Sequence, residues 1–106
     1  MGVGALGPGF GDAQGPFAGG RQSTTFAYYL REAARVTLRI VAANGEGVAT
    51  LLNDAPRPAG MNQIDLWDGR NGVGRVVRNG AYIAELTVTF DSGSRDRVRR
   101  KVAVVR

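Results

Sequence analysis

The chain contains no cysteine and no histidine among its 106 residues. Without cysteine it cannot form a disulfide framework or supply a thiolate as ligand or nucleophile. Without histidine it also cannot build a zinc site of the usual type, a Ser-His-Asp triad or a Cys-His pair. Carboxylates, arginines, one lysine, tyrosines and hydroxyls are what remains for chemistry. The composition therefore predicts a protein that is not an enzyme and that holds no cofactor and no metal.

Long apolar runs are missing as well. No stretch approaches the ~20 apolar residues that a membrane-spanning helix needs, so we expect no membrane span. The first six residues lack the basic and apolar regions of a signal peptide, so secretion would require a signal already removed or another route. A hydrophobic content of 43% and this length suit one globular domain with a single core.

Lysine is nearly absent, and Lys101 is the only one in a chain of net charge +5. The densest basic run, residues 95–101, could bind phosphate groups. On a strand, however, Arg97, Arg99 and Lys101 would project from one face, which favours a solvated surface that blocks edge pairing. Aromatic residues, which sequence-tolerant nucleic-acid grooves interleave with basic ones, are missing from the run. The sequence therefore disfavours nucleic acid as a partner.

Residues 1–22 differ from the rest of the chain. They hold half of the 16 glycines, together with Pro8 and Pro16. Glycine at this density supports neither a helical nor a strand period, so the segment is predicted to be a flexible, extended arm. Large apolar residues are nevertheless spaced along it, which a purely solvating linker would not need. These predicted interaction residues are Val3, Leu6, Phe10 and Phe17.

From residue 23 onward, apolar and polar residues alternate in short runs that turn residues separate. Alternation with a period of two is typical of half-buried strands. The predicted strands are Ser23–Leu30, Arg35–Ala42, Val48–Leu52, Asn62–Trp67, Ala81–Phe90 and Arg97–Val105. Pro56 and Pro58 assign the segment 53–60 to a surface crossover or a sheet edge. Six or seven short strands without an amphipathic helix predict an antiparallel two-sheet sandwich over residues 23–106.

Residues 66–80 organise this pattern. They contain the only tryptophan, one Asp-Gly pair and two Asn-Gly pairs. Asp, Asn and Gly tolerate positive φ, so the chain is predicted to bury Trp67, to turn twice, and to enter its longest strand. A lone tryptophan in a small sandwich is more often core than an exposed ligand platform. Asp68 is expected to accept backbone N–H bonds in the turn rather than to act as an acid or a metal ligand.

In a series of short motifs, the chain resembles the immunoglobulin-like domain of the bacterial flagellar hook-capping protein. In chain order the motifs are Tyr28-x-Leu30, Ala34-x-Val36-Thr37-Leu38-x-Ile40, Gly47-Val48-x-x-Leu51, Ala59-Gly60, Trp67-Asp68-Gly69-Arg70, Gly74-x-x-Val77 and Gly80-x-Tyr82. Related modules lie at the C-termini of many secreted bacterial proteins, including type IX secretion sorting domains. The resemblance covers about Ser23 to Arg106. It implies an Ig-like sandwich, outside the cell or on its surface, that serves assembly, anchoring or protein contact without catalytic residues. The most specific part, and the implied structural anchor, is Trp67, Asp68, Gly69, Gly80 and Tyr82.

Two departures from the family pattern stand out. The family commonly has an apolar residue two positions before the tryptophan, where this chain has Asp65. Ile64 and Leu66 are shifted by one position, and a β-bulge before Trp67 is expected to restore the faces, since one extra residue flips every later side chain. The second departure is the segment 1–22, which matches nothing in the family.

These observations predict a structural subunit of a bacterial extracellular assembly. Its arm would add a strand to an open sheet edge of a neighbouring copy and give a homo-oligomer or a filament. Other extracellular proteins are further candidate partners. The alternative is a C-terminal sorting or anchoring module, or a hook-cap-like interaction module, of a larger secreted protein, with residues 1–22 as a linker. Whether the arm docks on a neighbour or folds back on its own sheet stays open at this point.

Overall fold

The computed structural model describes residues 24–104 and, for the backbone, residues 11–12. These residues form strands and connecting turns, and none of them is helical. The described part of the chain contains no helix that could cross a membrane. The predicted all-β class is therefore confirmed. The strands are β1 (Gly11–Asp12), β2 (Thr24–Leu30), β3 (Ala34–Ala42), β4 (Gly47–Arg57), β5 (Gly60–Trp67), β6 (Gly80–Phe90) and β7 (Arg95–Val104).

The strands form two antiparallel sheets. One has three strands in the order β1-β2-β5, and the other has four in the order β4-β3-β6-β7. In the lettering of Ig-like sandwiches, the three-stranded sheet consists of strands A, B and E, and the four-stranded sheet of strands C′, C, F and G. β4 is strand C′ because it pairs with β3 instead of joining the opposite sheet. The predicted antiparallel sandwich is thus confirmed.

The core lies between the two sheets and follows the period-two pattern. Alternate side chains of a strand point to opposite faces, so each strand contributes every second residue to the interior. The predicted inward residues of the second strand, Val36, Leu38 and Ile40, are all fully buried. The other large buried apolar side chains are Phe26, Tyr28, Leu30, Trp67, Leu86, Val88, Phe90, Val98, Val102 and Val104.

Strand β4 is longer than the sequence predicts. We expected it to end at Leu52, yet it continues to Arg57 and includes Pro56, which lies opposite Arg35. β4 is an edge strand, so a proline without an N–H breaks no ladder bond to an outer neighbour. The register shifts along β4, and Asp54 adopts a φ of 56° there. The sequence left two alternatives for this segment, a surface crossover or a sheet edge, and the sheet edge is correct.

Strand β1 lies within the segment predicted to be an arm. Gly11 is opposite Ala27 and Asp12 is opposite Phe26 of the same chain, so at these two residues the backbone extends its own sheet. The four apolar arm residues, Val3, Leu6, Phe10 and Phe17, lie outside the described residues.

Candidate interaction site

Trp67 is buried where strand β5 leaves the sandwich. Its side chain is fully inaccessible, and its Nε1 donates a hydrogen bond to the carbonyl of Arg70 at 2.9 Å. The ring meets Tyr82 edge-on, with 5.5 Å between ring centroids. The Tyr82 hydroxyl donates in turn to the carbonyl of Arg78 at 2.8 Å, which is the arrangement of a tyrosine corner. The prediction that Trp67 belongs to the core is confirmed, so the indole is not an exposed ligand platform.

The loop between β5 and β6 is held by its own polar groups. Asp68 Oδ1 accepts the backbone N–H of Arg70 at 3.2 Å, which confirms its expected role in the turn. Asn71 Oδ1 accepts the N–H groups of Val73 and Arg75 at 3.1 and 2.9 Å. Gly69 adopts a φ of 77°, a region that glycine enters at no steric cost. These hydrogen bonds and backbone angles form the turn, and the Asp68 carboxylate is part of it.

The β-bulge expected before Trp67 is present, but it does not turn the apolar residues inward. Phe26 is opposite Asp65 and Tyr28 is opposite Asn62, so β5 carries one extra residue against β2. That residue precedes Asp65, which therefore shares the inner face with Trp67. The expectation that Ile64 and Leu66 would face the core is wrong, because they are 71% and 52% exposed.

Asp65 is buried in a polar cluster that links the two sheets. It accepts a hydrogen bond from the Tyr28 hydroxyl at 2.5 Å. Arg57, at the end of β4 in the opposite sheet, donates twice to the carboxylate: from Nη2 to Oδ1 at 2.5 Å and from Nε to Oδ2 at 3.2 Å. A buried carboxylate needs such partners because desolvation of an unpaired charge is costly. Sequence reasoning missed this cluster because it predicted β4 to end at Leu52 and did not place Arg57 on a strand opposite Asp65.

The cluster keeps its protons at neutral pH. Burial, and then the hydrogen bond to Asp65, raise the pKa of Tyr28 well above its ordinary value. The hydrogen bond to Asp65 likewise raises the pKa of Arg57. Tyr28 is therefore a neutral donor and Arg57 a cation, and both are directed at the same carboxylate. We interpret the cluster as a structural contact that holds the two sheets together rather than as a proton-transfer site.

The raised pKa of Tyr28 predicts a loss of stability at alkaline pH. Above pH ~10 the tyrosine ionises in the unfolded chain while the folded chain keeps its proton, so unfolding releases a proton. The free energy of unfolding should then fall by up to about 1.4 kcal/mol per pH unit. Urea unfolding from pH ~8, where both states keep the proton, to pH ~11, above the ordinary tyrosine pKa of ~10, measures the onset of this slope. Tyr28→Phe should reduce the slope, and the exposed-site control Tyr29→Phe should not. Equal slopes in the unaltered chain and both variants would contradict the assignment of the slope to Tyr28.

The outer face of the three-stranded sheet carries an exposed apolar patch. It consists of Tyr29 on β2 and Met61, Ile64 and Leu66 on β5, and we call these four residues the β5 patch. Tyr29 and Met61 are 47% and 55% exposed and lie directly opposite each other, so the patch spans both strands. Isolated apolar residues on a surface are ordinary, whereas contiguous ones mark interaction sites.

Strand β5 is also an open edge in the described part of the sandwich, and its outward side chains are uncharged. The edges of the four-stranded sheet carry Pro56 on β4 and a row of cations on β7, and both features discourage edge-to-edge pairing. β5 has a bulge and an inward-pointing charge, Asp65, which also discourage pairing, but it contains no proline and its outward side chains carry no charge. The β5 patch together with this edge is therefore the candidate interaction site.

Comparison with known proteins finds no matching family model and no matching curated protein. Fold and site therefore define a class only: a small antiparallel β-sandwich with an exposed apolar edge. Within residues 24–104, no three or more Cys, His, Asp or Glu side chains are grouped so as to hold a metal ion. The resemblance to the hook-capping family stays a prediction from the sequence pattern.

Proposed function

We propose that this protein is a non-enzymatic structural subunit of a bacterial extracellular assembly and that it self-associates through its N-terminal segment. The observation that carries the proposal is the β5 patch on a sheet edge whose outward side chains are uncharged. Three of its four apolar side chains are more than half exposed, and such side chains at a sheet edge are stabilised when a further strand docks beside them.

The proposed occupant of the β5 edge is the segment 1–10 of a neighbouring copy. Strand β1 holds Gly11 and Asp12 at the opposite edge of the same sheet, and residues 1–10 precede it. Ten residues extend to about 33 Å, which is enough to reach another copy. Val3, Leu6 and Phe10 lie in this segment and supply apolar side chains for the patch. An added strand would also satisfy the open backbone groups of β5.

This arrangement is head-to-tail. The segment leaves one copy at the β1 edge and docks on the β5 edge of the next, so the two surfaces differ and the contact is heterologous. Repetition of such a contact gives a closed ring or an open filament, and we propose the filament, in which the three-stranded sheets follow one another. The extracellular, bacterial setting rests on the resemblance to the hook-capping family.

The test compares the full chain with a chain that lacks residues 1–10 and keeps β1 and every core strand. We expect filaments of the full chain in negative-stain electron microscopy. The shortened chain should be a monomer in sedimentation velocity, with an unchanged thermal unfolding midpoint, because it loses no described strand.

Two results would contradict the proposal. The first is a shortened chain that assembles like the full one, which would show that the segment is not the connecting element. The second is a full chain that stays monomeric at every concentration tested, which would favour a module of a larger secreted protein.

A further inference from the structure

The outer face of the four-stranded sheet, on the side of the sandwich opposite the β5 patch, concentrates positive charge. Strands β3 and β7 direct alternate basic side chains to this face. Two described acidic side chains pair with them: Asp54, which lies 3.1 Å from Arg35, and Glu85. The basic face consists of Arg35, Arg39, Arg95, Arg97, Arg99 and Lys101.

Glu85 orients part of this face without neutralising it. The register places Glu85 between Arg39 and Arg99, and its carboxylate is largely buried. It lies 2.8 Å from Arg99 Nε, 3.7 Å from Arg39 Nη1 and 4.0 Å from Arg97 Nη1. One carboxylate balances one of three guanidinium groups, so two positive charges remain beside it.

Strand β7 sets these charges in a line. Alternate residues of a strand are about 6.8 Å apart, so Arg95, Arg97, Arg99 and Lys101 span about 20 Å. Within residues 24–104, Arg95 and Lys101 form no ion pair. A depression of about 480 Å³ lies beside the Glu85 cluster, between β7 and the β3–β4 turn.

Hydroxyl groups lie between the basic rows. Thr87 and Thr89 are opposite Arg97 and Arg95, and Thr37 is opposite Thr87 on the far side of β6. Guanidinium groups bind carboxylate and sulfate oxygens through paired N–H donors, and threonine hydroxyls both donate and accept hydrogen bonds. This combination suits a polymer that carries anionic groups and hydroxyls in regular alternation.

We propose that the basic face binds a linear acidic polysaccharide. The arginine row would contact its carboxylate or sulfate groups, and the threonines would contact its hydroxyls. The face lacks the aromatic platforms that single-stranded nucleic acids need for base stacking. Its four strands span about 14 Å, so the face is too wide to enter the ~12 Å major groove of duplex DNA and read its bases.

The test measures binding of the full chain to heparin and to polygalacturonate, by titration at several salt concentrations. The face variant is Arg95→Gln with Lys101→Gln, two residues that do not pair with Glu85, so the fold should be kept. The matched control is Arg75→Gln with Arg78→Gln, which removes the same charge from exposed positions in the β5–β6 loop. We expect about tenfold weaker binding and a salt slope lower by about 1 to 2 for the face variant. The control should change affinity less than about twofold, since its charges lie off the face.

Two outcomes would overturn this inference. Equal weakening by both double variants would show that the polymers respond to net charge and not to this face. Tighter binding of single-stranded poly(dT) than of either polysaccharide, at equal concentration of anionic groups, would replace a polysaccharide with a nucleic acid as the partner. Binding by a chain that does not form filaments would still support the inference, so it stands apart from the proposed assembly role.

Discussion

Replacement of Ile64 and Leu66 by lysine is expected to abolish self-association and to leave the sandwich folded. Both side chains point to solvent from β5, so the core loses no packing. Two ammonium groups on this strand would have to be desolvated under a docking strand, and lysine is a common feature that blocks edge pairing. The sedimentation coefficient should fall to that of a monomer, and filaments should disappear from negative-stain images.

The loop between β5 and β6 offers a matched control for this experiment. Val73 and Val76 are 80% and 54% exposed, so Val73→Lys with Val76→Lys introduces the same charge at equally exposed apolar positions. This control should assemble like the unaltered chain. If both double variants lose assembly, added charge alone explains the loss; if Ile64→Lys with Leu66→Lys still forms filaments, the β5 patch is not the docking surface.

Arg57→Met is expected to destabilise the fold by about 3–5 kcal/mol, because it leaves the Asp65 carboxylate buried without its cation. The side chains of Arg57 and Asp65 are 15% and 4% exposed, so the Asp65 carboxylate has little access to water that could replace the lost partner. The free energy of unfolding from urea titration at neutral pH measures the effect. A loss below about 1 kcal/mol would mean that the pair is solvated in practice.

The comparison variant is Arg35→Met on the same sheet. Arg35 pairs with Asp54 at 3.1 Å, but both side chains are more than half exposed. Exposed ion pairs contribute about 0–1 kcal/mol, so this variant should be nearly neutral. A triple change, Tyr28→Phe with Arg57→Met and Asp65→Leu, should recover most of the lost stability, because a buried ion pair can be exchanged for apolar packing of similar volume.

The two proposed surfaces lie on opposite sides of the sandwich and do not compete. Assembly along the β1–β5 direction would leave each basic face open. Successive copies would then present their rows of arginines at a regular spacing. A long acidic polymer that contacts several copies binds with an effective concentration that no single copy offers. A filament should therefore retain such a polymer at salt concentrations that release it from the monomer.

Part of the candidate site could be predicted from sequence. The Asp-Gly and Asn-Gly pairs around Trp67 predicted the turn, because few other residues accept its backbone angles. Asp68 bonds to Arg70 as expected. The Arg57–Asp65 cluster could not be predicted, because the two residues lie on different sheets and the reach of β4 past Pro56 was not visible. The β5 patch was missed for a related reason, since the position of one extra residue decided which side chains face out.

The sequence by itself determined the sandwich and the inner faces of regular strands such as β3, because alternation and turn residues act over a few neighbouring positions. Val36, Leu38 and Ile40 are buried as their period requires. Only the tertiary structure decided where the bulge falls, that Asp65 turns inward to Arg57, and that Ile64 and Leu66 turn outward. These outcomes depend on which strands lie opposite each other. The free energy of burying one carboxylate or two apolar side chains depends on contacts between the two sheets and not on neighbouring positions in the sequence.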